Sequence, residues 1–217
     1  MSMMFVQNDT DFENFMADGL MGLSNDKTIP NMFDRGLSSG ALQSSAFAFE
    51  LSILDSKRPS SFYYNVLPQD FPNAVYVKCT RQNYWTIPVA VVVEGVKAVV
   101  LPISEALIDS GTSLIAFPTG ILNQLYGIYF SQCQKDGSGN YRICDCRDTT
   151  LPTFNFTTKG MQFTITPQMY LQRTMGNRCY ILFDGLDSIP FMILGDVFMR
   201  NYLTIFDKQT NSVGIQG

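Results

Sequence analysis

The chain has 217 residues, of which 46% are hydrophobic and 16% are charged, and it contains no histidine. This length can bury a sizeable core, and a charged share below the roughly 25% of ordinary globular proteins argues against disorder. Fifteen basic and nineteen acidic residues give a net charge of -4 without basic clusters, and the longest apolar run, 87–93, is too short to span a membrane. Neither a nucleic-acid partner nor a membrane is expected.

The first half of the chain reads as strands with little helix. Residues 31–35 predict a short helix stopped by Gly36. Residues 46–54 alternate enough to predict a strand, and 84–93 with 96–101 predict a hairpin.

The second half adds two more hairpins and two short helices. Residues 119–131 have the one-face apolar spacing of an amphipathic helix, with Pro118 near its first turn. The pattern also predicts a second short helix over 196–201 and hairpins formed by 154–156 with 161–166 and by 203–206 with 213–215. We therefore predict one mostly antiparallel β domain over residues 1–217 with a few short helices, and we place the 119–131 helix next to the turn described below.

The segment 106–115, ALIDSGTSLI, sets one carboxylate and two hydroxyls on a glycine turn between apolar runs. Apolar flanks of this kind are typical of buried strands, so Asp109 would lose hydration unless hydrogen bonds offset the cost. Ser110 and Thr112 offer hydroxyl donors, and Gly111 lets the backbone approach the carboxylate. A D-S-G or D-T-G turn in a strand-rich chain indicates half of an aspartic protease site, in which two carboxylates share a proton and activate water.

The sequence contains only one such turn. Residues 136–139 form a polar loop, 55–56 run into two basic residues, and 18–19 lack the hydroxyls. Taken alone, the turn favours Asp109 as a structural acid hydrogen-bonded by Ser110 and Thr112 over a catalytic one.

With these residues in view, the chain resembles, over nearly its whole length, the C-terminal lobe of pepsin-like aspartic proteases, the family of pepsin and cathepsin D. The resemblance is carried by Asp18 to Leu23, Tyr84 to Ile87, Asp109 to Ser113, Ile193 to Tyr202, Ile205 to Asp207 and Val213-Gly214. It implies a mostly β fold that is a single lobe of the bilobal acid protease, beginning near the crossover between lobes.

The resemblance also implies roles for individual residues. Asp109 is expected to be the second catalytic aspartate, with Gly111 and Thr112 positioning it and Ser110 supporting the turn. Leu194 and Gly195 are expected to pack behind it. The remaining candidates are expected to contact substrate. Tyr84, Leu107 and Ile193 are expected on the leaving-group side, and Ser113 is a further candidate. Asp196 and Asp207 are interpreted as cap and turn acids.

Two departures from the family pattern leave three hypotheses open. The N-terminal lobe, with its catalytic aspartate and flap, has no counterpart here, and residues 62–66 replace the usual F-G-G. The leading hypothesis is one lobe of an endopeptidase that cleaves peptides or proteins, inactive as a monomer and needing the N-terminal lobe in the same or a partner chain. The alternatives are a homodimeric protease with two Asp109 half-sites and a non-enzymatic single-lobe binding protein.

Five cysteines and two sequons favour the secretory pathway, either outside the cell or in a lysosome or vacuole, although the opening residues do not form a signal peptide. The resemblance implies that Cys179 bridges Cys146 or Cys144. The remaining one of those two would pair with Cys133, which leaves Cys79 as a free thiol. The sequons make Asn8 and Asn155 candidate glycosylation sites. The single C-x-C disfavours zinc, and no metal or cofactor is expected.

Overall fold

A computed structural model describes residues 20–53, 57–137, 139, 141–187 and 189–217. Four short α-helices lie in these residues, α1 (Met32–Ser38), α2 (Thr119–Tyr129), α3 (Pro167–Tyr170) and α4 (Asp196–Met199), together with one 3-10 helix (Pro68–Asp70). The strands before α2 are β1 (Phe47–Glu50), β2 (Ser61–Tyr64), β3 (Val75–Lys78), β4 (Thr86–Pro88), β5 (Ala90–Glu94), β6 (Ala98–Val100), β7 (Glu105–Ile108) and β8 (Ile115–Pro118). Those after it are β9 (Gln134–Lys135), β10 (Arg142–Asp145), β11 (Thr153–Thr158), β12 (Met161–Ile165), β13 (Leu171–Arg173), β14 (Arg178–Ile181), β15 (Phe183–Leu186), β16 (Met192–Leu194), β17 (Leu203–Asp207) and β18 (Ser212–Gln216).

The described strands form four sheets. Two five-stranded sheets have the orders β2-β1-β17-β18-β3 and β15-β8-β16-β7-β4, and two four-stranded sheets have the orders β12-β11-β5-β6 and β13-β14-β10-β9. We call the β15-β8-β16-β7-β4 sheet the site sheet and the β13-β14-β10-β9 sheet the disulfide sheet. Pairing is antiparallel except between β7 and β16 and between β8 and β15. The predicted mostly β fold with a few short helices is confirmed.

One face of the site sheet lies in the main core. Phe183, Ile115, Leu194 and Ile108 occupy neighbouring positions on four adjacent strands, and all four are buried. Because side chains alternate across a strand, the residues between them point to the opposite face. We call that opposite face the open face, because Glu105 and Leu107 on it are half-buried and Asp184 is exposed. Thr86 and Ile193 on the same face are buried.

The predicted strand over 46–54 and the predicted helices over 119–131 and 196–201 are shorter in the structure, at Phe47–Glu50, Thr119–Tyr129 and Asp196–Met199. Two other predicted elements differ more. Helix α1 passes through Gly36 and ends at Ser38, because Asn31 and Asp34 form a capping box and the left-handed turn falls at Gly40, with φ of 75°. The predicted strand 84–93 is two strands in different sheets, β4 and β5. The ladder ends at Pro88, which lacks an N–H, and the chain changes sheet at Val89.

Polar contacts tie the described N-terminal segment to the start of the site sheet through Trp85 and to the β17–β18 turn through Lys208. The Trp85 Nε1 group donates to the Leu23 carbonyl at 2.8 Å. Lys208, only 5% exposed, donates through Nζ to the Asp34 carboxylate at 2.7 Å and to the Ile29 carbonyl at 3.3 Å. Within the described residues, no helix is long and apolar enough to cross a membrane.

Candidate active site

Asp109 lies on the loop that connects β7 to β8, at one end of the site sheet. It directly follows Ile108, a fully buried strand residue, and is itself half-buried. The loop therefore carries a carboxylate from the core to a partly solvated edge, where a substrate or a second protein surface can reach it.

Both oxygens of the Asp109 carboxylate accept hydrogen bonds from the loop itself. The Gly111 N–H donates to Oδ1 at 2.9 Å, and the Thr112 hydroxyl donates to Oδ2 at 2.7 Å. A Cβ atom at Gly111 would lie 3.2 Å from Oδ1, tighter than an ordinary contact. These two donors orient the carboxylate and offset the loss of hydration expected from the sequence.

Leu194 and Gly195 lie directly behind this loop. The Asp109 N–H donates to the Leu194 carbonyl at 3.2 Å, and the Gly195 N–H donates to the Leu114 carbonyl at 3.2 Å. A Cβ atom at Gly195 would lie 2.0 Å from the Thr112 carbonyl oxygen and 2.5 Å from that of Leu114. No side chain can occupy that space, so glycine lets the two backbone segments meet.

Asp196 is a second acid close to the Asp109 loop. Its N–H donates to the Thr112 carbonyl at 2.8 Å, and its carboxylate pairs with Arg200 at 3.4 Å. Burial raises the pKa of Asp196; the Arg200 charge opposes this shift, and the negative charge of Asp109 adds to it. The sequence predicted that Asp196 caps a helix, but the N-cap residue of α4 is Gly195, and Asp196 is the first residue of the helix, where its carboxylate faces Arg200 rather than a backbone N–H. Asp207 accepts from the N–H and hydroxyl of Thr210 within a turn.

Leu107 and Ile193 lie on the open face of the site sheet, where Leu107 is half-buried and Ile193 is 8% exposed. Leu107 is paired with Ile193 on one side and with Thr86 on the other, so these side chains form a row across three strands. Tyr84 is 50% exposed and packs its ring against Phe191, with centroids 6.2 Å apart. Ser110 and Ser113 are exposed on the loop itself.

Sequence reasoning missed three residues next to this row. Arg81 donates from Nε and from its terminal nitrogen to Glu105 Oε2, at 3.2 and 2.7 Å, and its guanidinium lies 5.1 Å from the centre of the Phe191 ring. The Arg81 hydrogen bond is the main cause that lowers the pKa of Glu105, followed by a hydrogen bond from Thr80. Residues 24 positions apart carry no local signal of contact.

The cysteine pairs lie far from Asp109 along the chain, at the disulfide sheet. Cys146 is bonded to Cys179, and Cys133 to Cys144. Of the two candidate partners for Cys179, the structure has Cys146, so both cysteines of the C-x-C form disulfides. Cys79 is a free, half-buried thiol, and burial raises its pKa to about 11.

The sequon at Asn155 does not form an accessible acceptor in the folded chain, which corrects the expectation from sequence. Asn155 lies on β11, is 8% exposed, and accepts hydrogen bonds from Gln162 and Thr164. Asn8 lies outside the described residues. Among the residues that are described, no group of three or more His, Cys, Asp or Glu side chains could hold a metal ion.

Comparison with known proteins gives the family. The family model described as Eukaryotic aspartyl protease matches residues 3–216. The chain is 32% identical over 217 aligned residues to vacuolar protease A of Aspergillus fumigatus, an alignment that covers 91% of this chain and 52% of that protein. It is 29% identical to pepsin A of Bos taurus, covering 91% and 55%, and 35% identical to cathepsin E of Aquarana catesbeiana over 144 residues, covering 64% and 36%.

The chain thus spans about half the length of the first two relatives and a smaller part of the third. The family match covers the Asp109 loop, the site sheet and the 193–202 segment together. This chain belongs to the eukaryotic aspartyl protease family.

Proposed function

We propose that this chain is the second lobe of a bilobal aspartic endopeptidase and that Asp109 supplies one of its two catalytic carboxylates. The observation that carries the proposal is the Asp109 carboxylate held at the edge of the site sheet by donors from Gly111 and Thr112. The family match and the half-length alignment to vacuolar protease A support it.

Hydrolysis by this route needs a second carboxylate facing Asp109. One carboxylic acid of the pair keeps its proton and polarises the scissile carbonyl, while the other takes a proton from the attacking water. The tetrahedral intermediate then collapses as the departing amine accepts a proton. The chain has one D-S-G turn, so we propose that the 217-residue chain does not hydrolyse peptides as a monomer.

The open face of the site sheet is the proposed substrate side. Leu107 and Ile193 form a continuous apolar row beside the loop, and the exposed Tyr84 ring lies near the same strands. We assign these three residues to the leaving-group side of the substrate, with Ser113 close to the scissile bond. The Thr112 hydroxyl, which already donates to Asp109, is also proposed to contact the partner lobe.

The two disulfides fit an oxidising compartment. We therefore place the protein in the secretory pathway, outside the cell or in a lysosome or vacuole. Its substrates would be peptides or unfolded proteins at acid pH.

An acid-pH peptide assay tests this function. The purified 217-residue chain, with its oligomeric state measured, is compared with the same chain supplied with the N-terminal lobe of vacuolar protease A. We expect turnover only in the second sample, and a statine-type inhibitor should block it. Asp109→Asn should abolish it, whereas the matched variant Asp145→Asn, at the exposed last residue of β10, should retain it.

Three outcomes would contradict the proposal. Inhibitor-sensitive turnover by a strict monomer would show that no second carboxylate is needed. Activity that appears only with the dimer of this chain would instead favour two Asp109 half-sites about a two-fold axis. No turnover with the N-terminal lobe bound would favour a non-enzymatic binding protein.

A further inference from the structure

The loop that carries Tyr84 is closed at its base and leaves its tip on the site sheet. The Thr80 N–H donates to the Thr86 carbonyl at 2.8 Å, and the two threonine hydroxyls are 2.9 Å apart. The Tyr84 carbonyl accepts from the Asn25 side chain at 3.2 Å. These contacts fix the backbone on either side of Tyr84, but none of them holds its ring.

The ring is held instead through Phe191. The Tyr84 ring packs against the buried Phe191 ring, and the Arg81 guanidinium carbon lies 5.1 Å from the centre of that Phe191 ring. Arg81 is in turn fixed by two hydrogen bonds to Glu105. The Tyr84 ring, Phe191, Arg81 and Glu105 therefore form one connected set.

Glu105 brings this set to the candidate catalytic strand. It is the first residue of β7 and lies two residues before Leu107, so alternation places both side chains on the same face. The Glu105 side chain is 23% exposed and that of Arg81 40%. This partial burial makes the pair less screened than the fully exposed ion pairs of the surface.

We propose that Arg81 and Glu105 are positioning residues, whose ion pair holds the 80–86 loop against β7 and keeps the Tyr84 ring in place for a bulky apolar side chain on the leaving-group side of a substrate. This inference rests on the proposed function. The planar guanidinium does two things at once, because one edge meets the carboxylate while its face covers Phe191. A lysine at the same position supplies the charge without that geometry.

The test uses the two-lobe protein described above and two peptides that differ only in the first residue after the scissile bond, Phe or Ala. Arg81→Met, which keeps an apolar stem, and Glu105→Gln are compared with Arg81→Lys. Arg147→Met is the matched control, because it breaks a similar 2.8 Å pair with Asp145 on the disulfide sheet.

For Arg81→Met and Glu105→Gln we expect the KM of the Phe peptide to rise about threefold to tenfold, the effect of one lost aromatic contact, with kcat unchanged. The KM of the Ala peptide should not change. Arg81→Lys should fall between these variants and the unsubstituted protein, and Arg147→Met should match the unsubstituted protein. If Arg81 and Glu105 only stabilised the fold, the variants would change the KM of both peptides by the same factor.

The inference is wrong if the unsubstituted protein cleaves both peptides and the variants leave the ratio of the two KM values unchanged. If the unsubstituted protein cleaves neither peptide, the proposed function is wrong, and this inference is wrong with it.

Discussion

The site sheet and the disulfide sheet are stabilised in different ways. At the site sheet, the Asp109 loop is held by hydrogen bonds to the 194–196 segment and by close backbone contact at Gly195, and one face of the strands beneath it lies in the main core. At the disulfide sheet, β9 is exposed and the buried positions include Cys144 and Cys179. The two disulfides thus stabilise the disulfide sheet, whereas apolar burial stabilises the site sheet.

This difference shows where each region tolerates change. A loop held by backbone contacts depends on the absence of a side chain, so one added methyl group should be severe. Disulfides stabilise a sheet by restricting the unfolded chain. Removing a disulfide should therefore lower the free energy of unfolding by an amount that increases with the length of the loop it closes.

The largest expected effect is that of Gly195→Ala. The new methyl group would lie 2.0 Å from a backbone oxygen, so either the loop or β16 must shift. We expect the free energy of unfolding to fall by more than about 4 kcal/mol, as measured by urea denaturation. The matched control is Gly120→Ala, where nothing lies within 4 Å of the new atom, and there we expect a gain of up to about 1 kcal/mol. Equal stability of the two variants would contradict the close contact.

Removing the disulfides should come next in size. The Cys146–Cys179 bond closes a separation of 33 residues and Cys133–Cys144 one of 11. Replacing each pair by alanine should cost about 4 and about 3 kcal/mol respectively, because the longer loop gains more entropy when it opens. Urea denaturation measures both losses, and the fluorescence of Trp85, the single tryptophan, should stay unchanged in the folded state. A larger cost for the shorter loop would argue against the entropic origin.

The same contrast explains what the sequence could predict. The Asp109 turn and the three hairpins were predictable because their signals are local: a glycine turn between apolar runs, and the Lys159-Gly160 pair whose φ values are 47° and 78°. The change of sheet at Val89, the Arg81–Glu105 pair and the choice of Cys146 over Cys144 were not. They depend on which strands become neighbours, and strand periodicity alone does not specify that order.

A smaller effect is expected at the carboxylate itself. Thr112→Val removes the hydroxyl that donates to Asp109 Oδ2 but keeps the shape of the side chain. Because Asp109 is half-buried and water can partly replace the donor, we expect a loss of about 1 kcal/mol in urea denaturation. Thr112→Ser, which keeps the hydroxyl, should lose clearly less. Unchanged stability of Thr112→Val would show that the hydrogen bond does not stabilise the folded chain.

The smallest effect depends on pH and concerns Asp196. Because burial raises its pKa in the folded state, the folded chain binds a proton more readily than the unfolded chain, and ionisation of Asp196 disfavours folding as pH rises through that pKa. Asp196→Asn removes this penalty, so its melting temperature should exceed that of the unsubstituted chain by about 1 to 3 °C at pH 7, and the difference should shrink toward pH 3.

Asp145→Asn provides the opposite case. Its hydrogen bonds with Arg147 lower the pKa of Asp145 to about 2, so the carboxylate favours folding above the ordinary aspartate pKa, and this gain is lost as pH falls through the lowered value. That variant should be the less stable one at pH 7, with a difference that also closes on acidification. Melting curves between pH 2 and 7 check both signs, and the same sign for the two variants would show that burial does not govern the titration of Asp196.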